Sequence, residues 1–114
     1  MNERLKLVQQ AVTDERWKWQ EGMYVLPVEE GRSSLRVTVS GVMYLSIRPG
    51  EYVPDLNDAG TAGIFVSWLG RGWTIDITSD GFTVRSQVVG GPVESGKTLA
   101  EAALRAWLAT GKGN

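Results

Sequence analysis

The segment Gly91-Pro92-Val93-Glu94-Ser95-Gly96-Lys97-Thr98 has the spacing of a phosphate-binding loop: a glycine, four free residues, then Gly-Lys-Thr. In such a loop, backbone N–H groups and the N-terminus of the next helix cradle phosphates, the lysine reaches the terminal phosphates and the threonine ligates magnesium. Gly91, Gly96, Lys97 and Thr98 therefore form a candidate phosphate site. The surroundings disfavour it. A working loop follows a parallel strand and is followed by further strands, one of which carries an aspartate for the metal. Here the preceding strand is half of a hairpin turning at Asp80-Gly81, so its neighbour runs antiparallel, and residues 99–114 are taken up by one helix. Glu94 also places a carboxylate where phosphate would lie. The plainer reading is a capped helix start, with Thr98 and Glu101 as a capping box. No bound cofactor is expected.

A second constellation is Arg16-Trp17-Lys18-Trp19. Aromatic rings interleaved with cations can stack on and neutralise single-stranded nucleic acid, and they also anchor protein interfaces. Two tryptophans two residues apart cannot both face one core from a helix, so this reading leaves one of them exposed. Arg16, Trp17, Lys18 and Trp19 are the candidate interface, with a protein favoured over nucleic acid as its partner. Asp55, Asp58, Asp76 and Asp80 lack the spacing of a calcium loop and have capping or turn-making roles nearer to hand. No metal site is expected.

The chain has no cysteine and no histidine. A thiolate nucleophile, a thiolate zinc site, a Ser-His-Asp triad and a histidine proton shuttle are thereby excluded within one chain. Twelve basic residues against 13 acidic ones give a net charge of -1, without the run of like charges that binding to nucleic acid by bulk charge requires. Hydrophobic residues at 42% and charged residues at 22% are ordinary for a globular protein, and 114 residues suit one domain spanning 1–114. The first ten residues carry Glu3, Arg4 and Lys6 and no apolar stretch of a signal peptide. No segment approaches the roughly 20 apolar residues of a membrane span. A cytoplasmic, non-enzymatic protein is expected.

The elements that position these residues follow from periodicity. Leu5, Val8 and Val12 predict an N-terminal helix capped by Asn2; Thr13 restarts a helical turn that Gly22 stops, ahead of an extended segment at 23–28. A turn at 29–32 precedes alternating strands at 35–40 and 42–48, and Arg48-Pro49-Gly50-Glu51 reads as a type II turn leading to Tyr52-Val53. Asp55 is placed to cap a central helix with Leu56, Ile64, Phe65, Trp68 and Leu69 on its apolar face. Trp73, Ile75 and Ile77 then alternate with polar residues in a half-buried strand. Ser79-Asp80-Gly81 turns the chain into a partner strand at 82–88, and Ala103, Leu104, Trp107 and Leu108 face a core from a C-terminal helix ended by Gly111. The layout is α+β: a mainly antiparallel sheet of about five strands packed with an N-terminal, a central and a C-terminal helix.

Three stretches together resemble small proteins encoded by bacterial phages and prophages: residues 11–23 (AVTDERWKWQEGM), residues 54–63 (PDLNDAGTAG) and residues 98–102 (TLAEA). In that group the middle stretch often reads Pro-Asp-Leu-Thr-Asp-Pro-Ala-Thr ahead of an apolar helix, and this chain departs from it at Asn57 and Ala59-Gly60. The resemblance implies a phage or prophage origin and the cytoplasm of a bacterial host, with no activity or site to transfer. Expected partners are a host or phage protein, and inhibition of a host defence system such as CRISPR is one form that role takes. Neither oligomeric state nor partner identity is readable from these residues.

Overall fold

The computed structural model describes residues 3–28, 35–36 and 52–110. The expected Asn2 cap, the turns at 29–32 and 48–51, strand residues 37–40 and 42–48, and the stop at Gly111 lie outside these residues. In chain order the elements are α1 (Glu3–Val12), β1 (Tyr24–Pro27), β2 (Leu35–Arg36), β3 (Tyr52–Pro54), α2 (Ala59–Leu69), β4 (Trp73–Thr78), β5 (Gly81–Ser86), β6 (Val93–Gly96) and α3 (Leu99–Thr110). The fold is α+β, with three helices and antiparallel strand pairing among the described residues, as the periodicity predicts.

Among the described residues, two three-stranded sheets take the place of one continuous sheet. The first has the order β2-β1-β3 and the second β4-β5-β6. β6 is an addition to the predicted elements, because Glu94 and Gly96 rather than apolar residues alternate on its covered side. It pairs with β5 in the register Phe82↔Gly96, Val84↔Glu94.

α3 is the centre of the molecule. Eight of its residues are buried: Ala100, Glu101, Ala102, Ala103, Leu104, Ala106, Trp107 and Leu108. A helix buried on most of its surface must serve two layers. One face, with Ala100, Ala103, Leu104, Trp107 and Leu108, joins Leu7, Val8, Ala11, Met23, Val25, Val53, Leu56, Ala62 and Phe65 in the main core. The other, with Ala102 and Ala106, meets Val84 of the second sheet. Small side chains let the sheet approach closely. Gly96 lies tight against the helix: a Cβ there would lie 2.7 Å from the backbone nitrogen of Ala102.

The central helix starts three residues later than predicted. Asp55 instead accepts from Asn57 N (2.9 Å) in a side-chain turn, and its carbonyl accepts from Asp58 N. Asp58 is the cap, with extended backbone angles, and accepts from Thr61 N at 2.9 Å. Leu56 is buried from this turn, off the helix. The fully buried Thr61 hydroxyl accepts from Tyr24 N (2.9 Å) and lies 3.0 Å from the Asp58 carboxylate, tying β1 to the start of α2.

A second correction concerns β4. Its alternation is as predicted, but the apolar face is largely uncovered: Ile75 is 43% exposed and Ile77 is 83% exposed. α3 packs chiefly over β5 and β6, and of the β4 apolar residues Trp73 reaches the cluster formed by Val84, Ala102 and Ala106 while Ile75 and Ile77 do not.

Candidate aromatic cleft

The segment that links α1 to β1 is built as turns. Thr13 Oγ1 approaches the carbonyls of Gln9 (3.2 Å) and Gln10 (3.0 Å) at the end of α1, and Trp17 N donates to Asp14 O. Asp14 is the organiser. Its Oδ1 accepts from both Arg16 N (2.9 Å) and Arg16 Nε (3.0 Å), and its Oδ2 accepts from Arg16 Nη2 (3.1 Å). The side-chain hydrogen bonds from Arg16, then the one from its backbone N–H, hold the Asp14 carboxyl below the usual carboxylate range.

Arg16 carries this order across to α3. Nη1 donates to Thr110 Oγ1 (3.2 Å), and the guanidinium lies 4.2 Å from the centre of the Trp107 ring, within cation–π range. Because the chain is not helical here, both tryptophans of the Arg16-Trp17-Lys18-Trp19 stretch turn towards the core. The expectation of one exposed tryptophan assumed helical geometry, and the turns remove that constraint. Trp17 sits among Trp19 (ring centroids 5.2 Å apart), Trp68 (5.2 Å), Phe65 (5.9 Å) and Trp107 (6.2 Å), mostly edge to face. Edge-to-face pairs at these distances gain from the positive ring edge meeting the negative face. The Trp17 indole N–H is buried without a hydrogen-bond partner among the described residues.

Outside Trp17 the cluster opens into a cleft of about 470 Å³ lined by Arg16, Lys18, Trp19, Gln20, Trp68 and Trp107. Trp68 Nε1 donates to Gln20 Oε1, which fixes the indole along one wall. The lining thus offers three aromatic surfaces, two cations and no carboxylate. Arg16 is held by Asp14, Thr110 and Trp107, whereas Lys18 is exposed and makes no ion pair among the described residues. From the sequence Trp68 and Trp107 are core-facing residues of two separate helices and Gln20 carries no role. Only the fold brings Trp68 and Trp107 to Trp19 and its chain neighbour Gln20.

The 91–98 stretch has a different shape from a phosphate cradle. Residues 93–96 are strand β6, so their N–H groups alternate in direction instead of converging. Gly91 and Gly96 have packing reasons to be glycine: a Cβ on Gly91 would come within 2.5 Å of Ser86 Oγ, and Gly96 abuts α3. Thr98 Oγ1 donates to Leu56 O (2.6 Å) and accepts from Glu101 N (3.2 Å). Glu101 Oε2 reaches back to accept from Lys97 N (3.3 Å), the residue before the Thr98 cap, which puts the protein's own carboxylate at the helix N-terminus. Glu101 is 5% exposed and lies between Arg4 (Nε 2.9 Å from Oε1) and Arg105 (Nη2 3.6 Å from Oε2). Lys97 itself faces solvent.

Among the described residues, no three His, Cys, Asp or Glu side chains are grouped to hold a metal ion, and no helix is long and apolar enough to cross a membrane. Comparison with protein-family models, curated proteins and solved structures found no match.

Proposed function

We propose that this protein is a non-enzymatic binding module whose cleft at Trp19, Trp68 and Trp107 takes an acidic segment of a partner protein carrying an aromatic or aliphatic anchor. The observation that carries this reading is the lining itself: three indoles beside Arg16 and Lys18, with no carboxylate among them. Tryptophan and arginine dominate binding energy at protein interfaces because they bury much surface and form directed contacts with little disorder to lose. An exposed, uncommitted Lys18 beside an apolar floor supplies attraction for a carboxylate, and the charge at the rim steers the encounter. On the resemblance to phage and prophage proteins, the partner is a host or phage protein met in the bacterial cytoplasm, and a component of a host defence system is one such partner.

The experiment is capture from host lysate, with and without phage infection, by tagged wild-type protein and by Trp19→Ala and Lys18→Glu variants whose melting curves match wild type. A partner retained by wild type and lost with Lys18→Glu supports the cleft. Retention unaffected by either substitution removes the cleft from the interaction.

A further inference from the structure

Strand β4 forms one edge of the second sheet, with β5 on one side and no described strand on the other. Gln87 N donates to Gly72 O (2.8 Å), and with Trp73 opposite Ser86 this sets the phase of the ladder. Gly72, Thr74, Asp76 and Thr78 turn their backbone groups towards β5, while Trp73, Ile75 and Ile77 turn theirs to the open edge. Edge strands of natural proteins are commonly blunted by lysine, proline or a bulge. The sequence Trp73-Thr74-Ile75-Asp76-Ile77-Thr78 has no lysine or proline, and its six residues pair with β5 in unbroken register. On the α3 side of the sheet it carries Ile75 and Ile77, which the helix leaves 43% and 83% exposed.

We infer that β4 pairs antiparallel with β4 of a second copy of this chain, centred on Ile75, to make one continuous six-stranded sheet. Of the registers that set apolar residues opposite apolar ones, this one engages all three edge-facing residues of the strand and opposes no like charges, whereas centring on Thr74 leaves Ile77 opposite Arg71 outside the strand. Alternation requires apolar residues opposite apolar ones, since a one-residue slip sends every side chain to the wrong face. Centring on Asp76 would put two carboxylates directly opposite each other in a non-hydrogen-bonded pair, where side chains are closest. Centring on Ile77 sets Ile75 against Ser79 of the hairpin turn and leaves Trp73 unpaired. Centring on Ile75 sets Ile75 against Ile75, Trp73 against Ile77 and Thr74 against Asp76. All three outward-facing residues of each strand then exchange backbone hydrogen bonds.

Charge agrees with this register. On the outer face Arg85 stands opposite Thr74 and 3.7 Å from Asp76 of its own chain. In the paired sheet the second copy's Asp76 arrives on the far side of the small Thr74, so each Arg85 lies between two carboxylates. No residue of β4 lines the aromatic cleft, so this pairing and the cleft stand or fall separately.

The test uses the full chain at a range of concentrations in an analytical ultracentrifuge. Wild type is expected to form a dimer, Thr74→Glu to weaken it by roughly tenfold through two new contacts with Asp76, and Thr74→Lys to tighten it. Opposite effects of the two charges are specific to this register, and a merely local loss of structure would not reverse sign. Because the chain has no cysteine, Ile75→Cys introduces one thiol that mild oxidation should join to its copy, the paired Cα atoms lying within disulfide range, while Ile77→Cys should not cross-link. A monomer at all concentrations, or equal cross-linking of the two cysteine variants, overturns the proposal.

Discussion

The two faces of α3 stabilise the molecule to different degrees. Towards α1, α2 and the first sheet, the helix contributes large side chains to a core that includes Met23, Val25 and Phe65, all fully buried. Towards the second sheet it presents Ala102 and Ala106, and the described strands return one fully buried side chain, Val84. Area removed from water sets the scale of hydrophobic stabilisation, so the helical side holds the fold while the second sheet is held mainly by its ladder and its close approach to α3. The lesson is that a thinly covered sheet leaves an apolar strand at its rim, whereas on the well-packed side Trp19, Trp68 and Trp107 are gathered around one cleft.

The comparison breaks if truncation costs the same on both sides. Phe65→Ala is expected to destabilise the protein by about 3–5 kcal/mol, the usual range for a buried phenylalanine. Val84→Ala is expected to cost roughly 1–2 kcal/mol for the two methyl groups lost. Denaturant unfolding of both variants measures the difference, and equal losses would show that the second sheet carries more of the core than its burial implies.

The seam between β6 and α3 sharpens the contrast. Gly96→Ala adds a methyl group 2.7 Å from the Ala102 backbone nitrogen and 2.9 Å from Glu101 Cβ, so backbone must move. A cost of about 1–3 kcal/mol is expected, as for other overpacked sites. Faster amide exchange confined to β4, β5 and β6 would locate the damage. A loss spread evenly over α1 and α2 would mean that the two sides unfold as one unit.

The smallest effect concerns the Asp14–Arg16 clasp beside the cleft. The folded pKa of Asp14 is depressed, so its contribution to stability is fully present above the unfolded carboxylate pKa and is lost as pH falls through the folded value. As a partly exposed pair it contributes no more than about 1 kcal/mol. Asp14→Asn should therefore lower the melting temperature slightly near neutral pH and not at all at the acid end of the titration. An equal loss at both ends would assign Asp14 a role other than its charge.

Local signals were the legible ones. Thr98 and Glu101 announce a capping box, and the Thr98 half of it is present because it acts within one turn, while the Glu101 carboxylate reaches back to Lys97 N, one residue before the cap. The hairpin at Ser79-Asp80-Gly81 and the alternation around it are likewise local, and β4 pairs with β5 as that alternation predicts. The start of α2 was misplaced because Asp55 and Asp58 are both capable caps; Leu56 sinks into the core and leaves Asp55 to make the turn before the helix. β6 was hidden because half of its covered face is Gly96, whose function is to be absent at the contact with α3. The cleft was half visible: Arg16-Trp17-Lys18-Trp19 marked the region, but the walls from Trp68 and Trp107 come from positions 49 and 88 residues beyond Trp19.

By itself the sequence determined the α+β class, the three helices, the hairpin and the exclusion of histidine and cysteine chemistry, because each depends on residue type or on spacing within one or two turns of chain. The tertiary structure alone decided that the described strands form two sheets, that Trp17 and Trp19 both turn towards the core, that residues 93–96 within the phosphate-loop spacing run as a strand, and that Ile77 is left in solvent. Those outcomes depend on which surfaces α3 covers, and that is set by packing among residues far apart in the chain, whose volumes and distances no local pattern records.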